Sequence, residues 1–397
     1  MTARSRSVLL LAVGTAVTLQ FGLHAVAPAL PLVQEVFAID DFRVAWLTSA
    51  YVLPGVLLAV PLGVLADLWG RRPVLIGAGL LYGVVGSAQA FAPTYEWLIA
   101  GRLVQGVAFA ALMPLTVTLI GDAYEGIAQV RGQARRQIAM ALANLTFPVI
   151  GAQLALLSWS FPFAIQGLMV VPAFVALAVL DSGKPVGMER VGYAGRALRS
   201  VVRKGFPSVL LLGFVRFVGK FSLIGYLPIH LSRELELPLS TIGVVMGLAT
   251  GLGFASASVT ARLVERLVPS WVSTVALSVG GVGLLSFAGA PSISLVFATA
   301  VGVGLADGFV AVLQSAYAAR GTPDDVRAGL VAVNGTARNG GKFVGPIVVG
   351  ALAGWVGIDG GLAVVGCLLI LSAFLLRPGL SRFDARIQGR SPIKEAP

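Results

Sequence analysis

Six ionisable side chains lie inside long apolar stretches of the sequence, where a charge needs a partner. They are Arg102, Arg216, Lys220, Asp307, Arg338 and Lys342. At the centre of a bilayer each charge costs about 2.5–3.5 kcal/mol or more, so such residues usually face a cavity or a counterion. Five of the six are bases. A cavity with this balance suits an anionic or neutral solute, since arginine can hold a carboxylate or phosphate by two parallel hydrogen bonds.

The spacing of these residues predicts which of them act together. Arg216 and Lys220 are four residues apart, and so are Arg338 and Lys342, so each pair lies on one helix face. Lys220 and Lys342 are both candidates to neutralise Asp307, which can alternatively carry a proton by itself. Arg338 lies on the cytoplasmic side of its stretch, so we expect it to extend to the lipid headgroups, with a place in the cavity as the alternative.

Neutral polar residues and histidine add further candidates. Gln20 and Asn144 are predicted to line the substrate pathway or to join helices by hydrogen bonds. His24 lies one turn after Gln20 and titrates near neutrality, so it is a candidate for proton coupling, with an ordinary hydrogen-bonded histidine as the alternative. The single cysteine, Cys367, excludes an intrachain disulfide and a cysteine-based metal site, and no cofactor is predicted.

Composition indicates the kind of protein that must position these groups. Charged residues make up 12% of the 397 residues, and 57% are hydrophobic. A soluble domain usually has about 25% charged residues, and so few charges cannot cover a soluble surface. The chain is therefore predicted to be an integral membrane protein. Its net charge of +11 is then a topology signal, and no nucleic-acid partner is expected.

The hydropathy pattern predicts twelve membrane spans, each needing about 20 apolar residues. They cover residues 7–32, 44–65, 73–92, 97–119, 134–157, 161–180, 207–231, 241–260, 271–290, 294–317, 330–355 and 360–376. A basic hydrophilic stretch divides them six and six. The predicted domains are a first bundle at 1–180, a cytoplasmic linker at 181–206, a second bundle at 207–376 and a cytoplasmic tail at 377–397.

The distribution of lysine and arginine predicts that both termini are cytoplasmic. The segments predicted to be cytoplasmic hold 22 of the 29 basic residues, whereas the outside segments hold only Arg43 and Arg233. The basic loops and the linker are expected to contact anionic lipid headgroups. We therefore expect a multi-pass protein of the cytoplasmic membrane.

A short motif follows the second predicted span. It reads GVLADLWGRR over residues 63–72. Gly63 would allow close helix packing, and Gly70 would permit a tight turn. Asp67 can accept hydrogen bonds from Arg71 or from free N–H groups at a helix start, and Arg72 lies with Arg71 at the headgroups. Taken alone, the segment is more typical of an ordinary short loop with inside-positive charge.

This segment closely resembles the signature loop of the major facilitator superfamily, in the same place between spans 2 and 3. Two further segments resemble motifs of that superfamily: RLVQG from Arg102 in span 4 and FPxxG over 147–151 in span 5. The latter resembles the antiporter motif of proton-coupled drug exporters, which prefers GPxxGG. The resemblance covers the whole chain and implies an all-α, usually monomeric fold of two six-helix bundles around a central cavity.

The resemblance also implies roles for individual residues. A latch that closes the cytoplasmic side and breaks during alternating access would consist of Gly63, Asp67, Gly70, Arg71 and Arg72. Arg102 would tune proton coupling or brace the first half. Pro148 and Gly151 would bend span 5 where the halves meet, and Gly345 and Pro346 repeat this pattern in span 11. Duplicated halves are the common plan of secondary transporters, with the substrate site near the midplane.

Three functions fit these features. The first is a secondary active transporter, an antiporter that exports a small organic compound and draws on the proton gradient. The second is uptake or exchange of an organic anion through the basic cavity. The third is a non-transporting membrane sensor on the same scaffold, since fold does not fix function. The sequence lacks P-loop, HExxH and GxSxG motifs, so an enzyme and direct ATP coupling are not predicted.

Overall fold

The computed structural model describes residues 3–181, 207–287, 292–320 and 327–384, and these residues form helices joined by short turns. The α-helices are α1 Ala3–Thr18, α2 Leu30–Val36, α3 Asp41–Leu57, α4 Ala59–Trp69, α5 Arg71–Ala88, α6 Tyr95–Ala123, α7 Gly126–Leu157, α8 Phe161–Ala164, α9 Val170–Val179, α10 Pro207–Arg233, α11 Leu239–Gly251, α12 Gly253–Arg266, α13 Pro269–Phe287, α14 Ile293–Arg320 and α15 Arg327–Ser381. Residues 182–206 of the predicted linker and 385–397 of the predicted tail lie outside the described residues.

Within the described residues, ten helices are long and apolar enough to cross a membrane. Two features account for the difference from the twelve predicted spans. The predicted span 44–65 is two shorter helices, α3 and α4, which meet at Leu58. The last two predicted spans run together in α15 and change direction at Gly357, whose φ is 74°. Glycine is the residue that adopts this left-handed conformation without steric cost.

Prolines explain where the predicted spans are interrupted. A proline at position i removes the hydrogen bond to the carbonyl at i−4 and its ring crowds that carbonyl. Pro61 acts in this way on Leu57, the last residue of α3. Pro28 acts on His24, and the chain there forms a π-helical turn, Phe21–Ala25, followed by a 3₁₀ turn, Ala27–Ala29. The predicted first span is therefore not one regular helix.

The described helices fall into two compact units. The first contains Met1–Val191 and Leu227–Gly247, and the second contains Gly192–Tyr226 and Leu248–Pro397. In the first unit, α7 packs on the π-helical turn, with the Phe21 and Phe147 rings stacked at 3.9 Å between centroids. In the second unit, α13 packs against both α14 and α15. The predicted division of the chain at 181–206 stays a prediction.

Glycine allows a close helix contact in each unit. A Cβ on Gly151 would lie 2.6 Å from the Ala25 Cα, so α7 can approach the π-helical turn only without a side chain there. A Cβ on Gly345 would lie 3.1 Å from the Ser222 Oγ and would meet the backbone of α10. The helix α7 continues through Pro148, and α15 continues through Pro346. Each copy of the proline repeat therefore has a glycine at a tight helix contact, three residues after Pro148 in the first unit and one residue before Pro346 in the second.

We expect Gly151→Ala to destabilise the protein, because the added methyl group would overlap the backbone of the π-helical turn. Overpacking of this kind typically costs about 1–3 kcal/mol. The matched control is Gly14→Ala, since a Cβ at Gly14 meets no atom within 4 Å. Thermal unfolding of the detergent-purified protein measures the difference. Equal midpoints for the two variants would show that the contact at Gly151 is not as tight as described.

Candidate functional site

One carboxylate in the second unit is shared by two bases. Arg216 Nε donates to Asp307 Oδ1 at 2.6 Å, and Arg216 Nη2 donates to Oδ2 at 3.0 Å. Lys220 Nζ donates to the same Oδ2 at 2.9 Å. Both bases lie on one face of α10, as their spacing predicts, and Asp307 lies on α14. Their side chains are only 10–12% exposed, so three charges are held together with little water.

Neutral groups also contact the two bases. Arg216 Nη1 is 3.5 Å from the Gln314 Oε1, and the Gln314 amide donates to Asn334 at 3.0 Å. Lys220 also donates to the Thr250 carbonyl at 3.4 Å. Of the two lysines that the sequence offers as partners of Asp307, the structure therefore places Lys220 against it. The ion pair between Arg216 and Asp307 was not predicted.

Three bases surround the ring of Phe217. The guanidinium carbons of Arg216 and Arg338 lie 4.7 and 4.9 Å from its centroid, and Lys342 Nζ lies 5.2 Å away. Lys342 is also 5.7 Å from the Phe221 centroid. At such distances the electron-rich face of a phenyl ring attracts a cation. Arg338 thus shares the Phe217 ring with Arg216, and its predicted extension to the headgroups, like the alternative place in the cavity, stays a prediction.

A narrow cavity adjoins Asp307, Arg216 and Lys220. Its volume is about 30 Å³, and its other lining residues are apolar or small, among them Gly219, Leu223, Ala276 and Ala306. A cavity of about 10–15 Å³ already admits one water molecule. The site can therefore hold water in this conformation, and an organic solute requires it to widen.

The first unit contains a buried arginine whose hydrogen bonds go to neutral groups. Arg102 is 1% exposed. Its Nη1 donates to the Gly22 carbonyl at 3.0 Å and to Gln105 Oε1 at 3.1 Å. Its guanidinium carbon lies 5.5 Å from the Tyr51 ring and 4.9 Å from the Phe163 ring. This arrangement fits the bracing role that the sequence allows, because one side chain joins α6, α3 and the π-helical turn.

Glutamines extend this polar cluster. Gln89 donates to Gln105 at 3.0 Å, and Gln105 in turn donates to Gln166. His24 is buried in the π-helical turn, and Gln20, just before it, donates to the Ala16 carbonyl at 3.4 Å. The pathway and proton-coupling roles of Gln20, His24 and Asn144 stay predictions.

The predicted latch loop joins α4 to α5. Gly70 has φ 91°, which confirms the predicted turn. Arg71 forms an ion pair with Asp122 at the end of α6, and Arg72 donates to the Leu177 carbonyl at 2.8 Å. Asp67 lies in α4, and its side chain lies outside the description. A Cβ on Gly63 would meet no atom within 4 Å, so the predicted close packing there is wrong for this conformation.

Another ion pair in the first unit was not predicted from the sequence. Arg233, at the end of α10, donates to Asp41 at 3.0 and 3.2 Å and to Gln34 at 3.3 Å. Gln34 donates to Asp41 at 2.7 Å. Burial alone would raise the pKa of Asp41, but the hydrogen bonds from Arg233 and Gln34 outweigh it and lower this pKa. One sequence feature could have indicated this ion pair, because Arg233 is one of only two bases in the predicted outside segments.

The sequence is similar to a known family and to several of its members. The sequence matches the family model described as Major Facilitator Superfamily over residues 10–341 and 209–395. It is 28% identical over 149 residues to the bacillibactin exporter of Bacillus subtilis (strain 168), an alignment that covers 36% of this chain and 37% of the exporter. It is 29% identical over 268 residues to the 3-(3-hydroxy-phenyl)propionate transporter of Escherichia coli (strain K12), with 64% of each chain covered. Each alignment thus spans less than two thirds of the relative.

The fold has a solved counterpart. A bacterial homologue of the human lysosomal transporter Spinster, crystallised in an inward-facing and unoccupied conformation, superposes with a TM-score of 0.79. The comparison covers 99% of this chain and 100% of that one at 16% sequence identity. At this identity the likeness concerns the fold.

We expect Asp307→Asn to be the most damaging single change at this site, because it leaves two buried bases without their carboxylate. Removing one partner of a buried pair typically costs about 3–5 kcal/mol. Lys220→Met should cost less, since Arg216 keeps both hydrogen bonds to Asp307, and the double variant should cost less than the sum. Thermal unfolding of the purified variants, with the exposed Arg131→Gln as control, measures these losses. Additive losses would contradict pairing of Lys220 with Asp307.

Proposed function

Because the chain belongs to the major facilitator superfamily, we propose that this transporter moves a small organic anion across the cell membrane by alternating access. The observation that carries the proposal is the sharing of Asp307 between Arg216 and Lys220. Two bases and one carboxylate leave one positive charge in a poorly hydrated place. A bound carboxylate would neutralise it, which gives the site a reason to prefer anions.

Arg216 is the base best suited to hold the substrate. Its planar guanidinium can form two parallel hydrogen bonds with a carboxylate, as it now does with Asp307. Lys220 presents a compact ammonium and can keep Asp307 while Arg216 turns to the substrate. When the substrate carboxylate replaces Asp307 on Arg216, Lys220 still pairs with Asp307. Both bases therefore keep a carboxylate partner throughout.

The aromatic residues support an anion that carries a ring. Phe217 and Phe221 lie beside the bases on α10, and aromatic side chains favour offset or edge-to-face contacts with other rings. The name of one relative, the 3-(3-hydroxy-phenyl)propionate transporter, denotes an aromatic carboxylate. We therefore propose aromatic carboxylates as the first class to test.

Proton-coupled export is a second candidate. Asp307 is the only acid within the predicted spans. It is therefore the group there that could release Arg216 and Lys220 and bind a proton. A relative named as an exporter also supports this direction of transport. In this case the substrate would be a neutral or cationic compound, and the bases would serve to control protonation of Asp307.

We expect 3-(3-hydroxyphenyl)propionate to raise the unfolding temperature of the wild-type protein in detergent. A ligand at 100 times its Kd adds about 2.7 kcal/mol of apparent stability. Arg216→Ala should weaken this binding at least about tenfold, since hydrogen bonds to charged groups contribute about 1.5–3 kcal/mol. The exposed Arg131→Ala should bind normally. Stabilisation by tetraphenylphosphonium instead, lost in Asp307→Asn, would contradict the anion proposal and favour the second candidate.

For the latch loop, we expect Asp67→Asn to slow transport in proteoliposomes while membrane insertion and the ligand-induced thermal shift stay near normal. Asp122→Asn should act in the same direction, because it removes the ion-pair partner of Arg71. The control is Glu125→Gln, which removes an exposed acid just after α6. Full transport activity in both Asp variants would remove the latch assignment.

A further inference from the structure

A large apolar groove in the second unit lies next to the Asp307 site but is distinct from it. Its volume is about 700 Å³, and α12, α13, α14 and the turn after α12 form its walls. Trp271, Val275 and Val279 of α13 form a stripe along it and are 42%, 57% and 43% exposed. From residue 271 to 279 a helix rises about 12 Å. This length is comparable to one leaflet of a hydrocarbon core about 30 Å thick.

Basic residues are concentrated at one end of the groove. Arg266, the last residue of α12, is the charged residue among the described lining residues. The Arg377 guanidinium carbon stacks 3.8 Å from the centroid of Trp271, which also lines the groove. Trp and Arg together are typical of the level of lipid headgroups. The turn between α12 and α13 belongs to a segment predicted to be cytoplasmic, where anionic lipids are found.

The acids that the structure describes at this end, Asp384 and Glu265, do not line the groove. Asp384 is buried and accepts hydrogen bonds from the Ser270 amide at 2.9 Å and from its hydroxyl at 2.6 Å, which fixes the start of α13 beside Trp271. Glu265 is exposed and lies outside the groove lining. Arg266 is therefore placed to meet a phosphate at the mouth of an apolar channel.

We propose that this groove binds an anionic phospholipid, with the phosphate at Arg266 and an acyl chain along α13. The shape and charge complement that ligand: an apolar channel of leaflet depth with guanidinium groups at one end. Ala276 and Ala306 line both this groove and the cavity at Asp307. A bound acyl chain would therefore pack against the part of α14 that carries Asp307.

The chain offers variants that separate charge from shape. Arg266→Gln removes the proposed phosphate contact, whereas Arg262→Gln removes an exposed base from the same helix outside the groove lining. Gly302 lines the groove, and a Cβ there would meet no atom within 4 Å, so Gly302→Leu is chosen to narrow the channel. Leucine also has a higher helix propensity than glycine, so this variant should fold.

The experiment is native mass spectrometry of the full chain with dioleoylphosphatidylglycerol or dioleoylphosphatidylcholine, supported by thermal shifts with the same lipids. We expect the wild type to prefer the glycerol lipid, and Arg266→Gln to reduce that preference about fivefold, as expected for one basic residue at a lipid surface. Arg262→Gln should leave the preference unchanged. Gly302→Leu should reduce retention of both lipids.

Three outcomes would overturn the proposal. Equal loss in Arg262→Gln and Arg266→Gln would indicate diffuse surface charge rather than a site. Unchanged lipid retention in Gly302→Leu would show that the groove holds no acyl chain. A dimer that Gly302→Leu dissociates would make this face a protein interface.

Discussion

The placement of the second unit's central helices depends on one buried carboxylate with two basic partners. Asp307 is held by Arg216 and Lys220 at 2.6–3.0 Å, and its carboxylate offsets part of the cost of burying both bases. Such a cluster holds only if α10 and α14 keep a fixed distance, because the attraction must offset the loss of hydration of three charges. Gly345 contributes to this constraint, since its missing side chain lets α15 lie directly on α10.

In the first unit, neutral groups stabilise the buried base. Arg102 is buried beside tyrosine and phenylalanine rings and donates to a glutamine and to a backbone carbonyl. The carbonyl belongs to Gly22 in the π-helical turn, where Pro28 interrupts the regular pattern of backbone hydrogen bonds. The two units therefore differ in chemistry. Protonation can change the charge of the Asp307 cluster directly, whereas the groups around Arg102 hold it in place.

The sequence predicted the elements better than the contacts between them. Hydropathy located most of the long apolar helices, and the helical period placed Arg216 and Lys220 on one face. Gly70 was identified because its turn needs a positive φ, a property of a single residue. The partners of Arg71 and Arg233 were missed, because they lie 51 and 192 residues away and no local pattern connects them. The break between α3 and α4 could have been predicted, since Pro61 was visible inside an apolar run.

The charge of the substrate and the manner of coupling are linked at Asp307. A proton on this carboxylate would release Arg216 and Lys220, and both could then hold an anion. Anion and proton would thus favour each other's binding, which is the thermodynamic requirement of symport. A cationic substrate would instead compete with the proton for the same oxygens, which is the requirement of antiport. The excess of bases around Phe217 raises the local positive potential. That potential favours binding of an anion but opposes protonation of Asp307, so a proton would be taken up there only together with the anion.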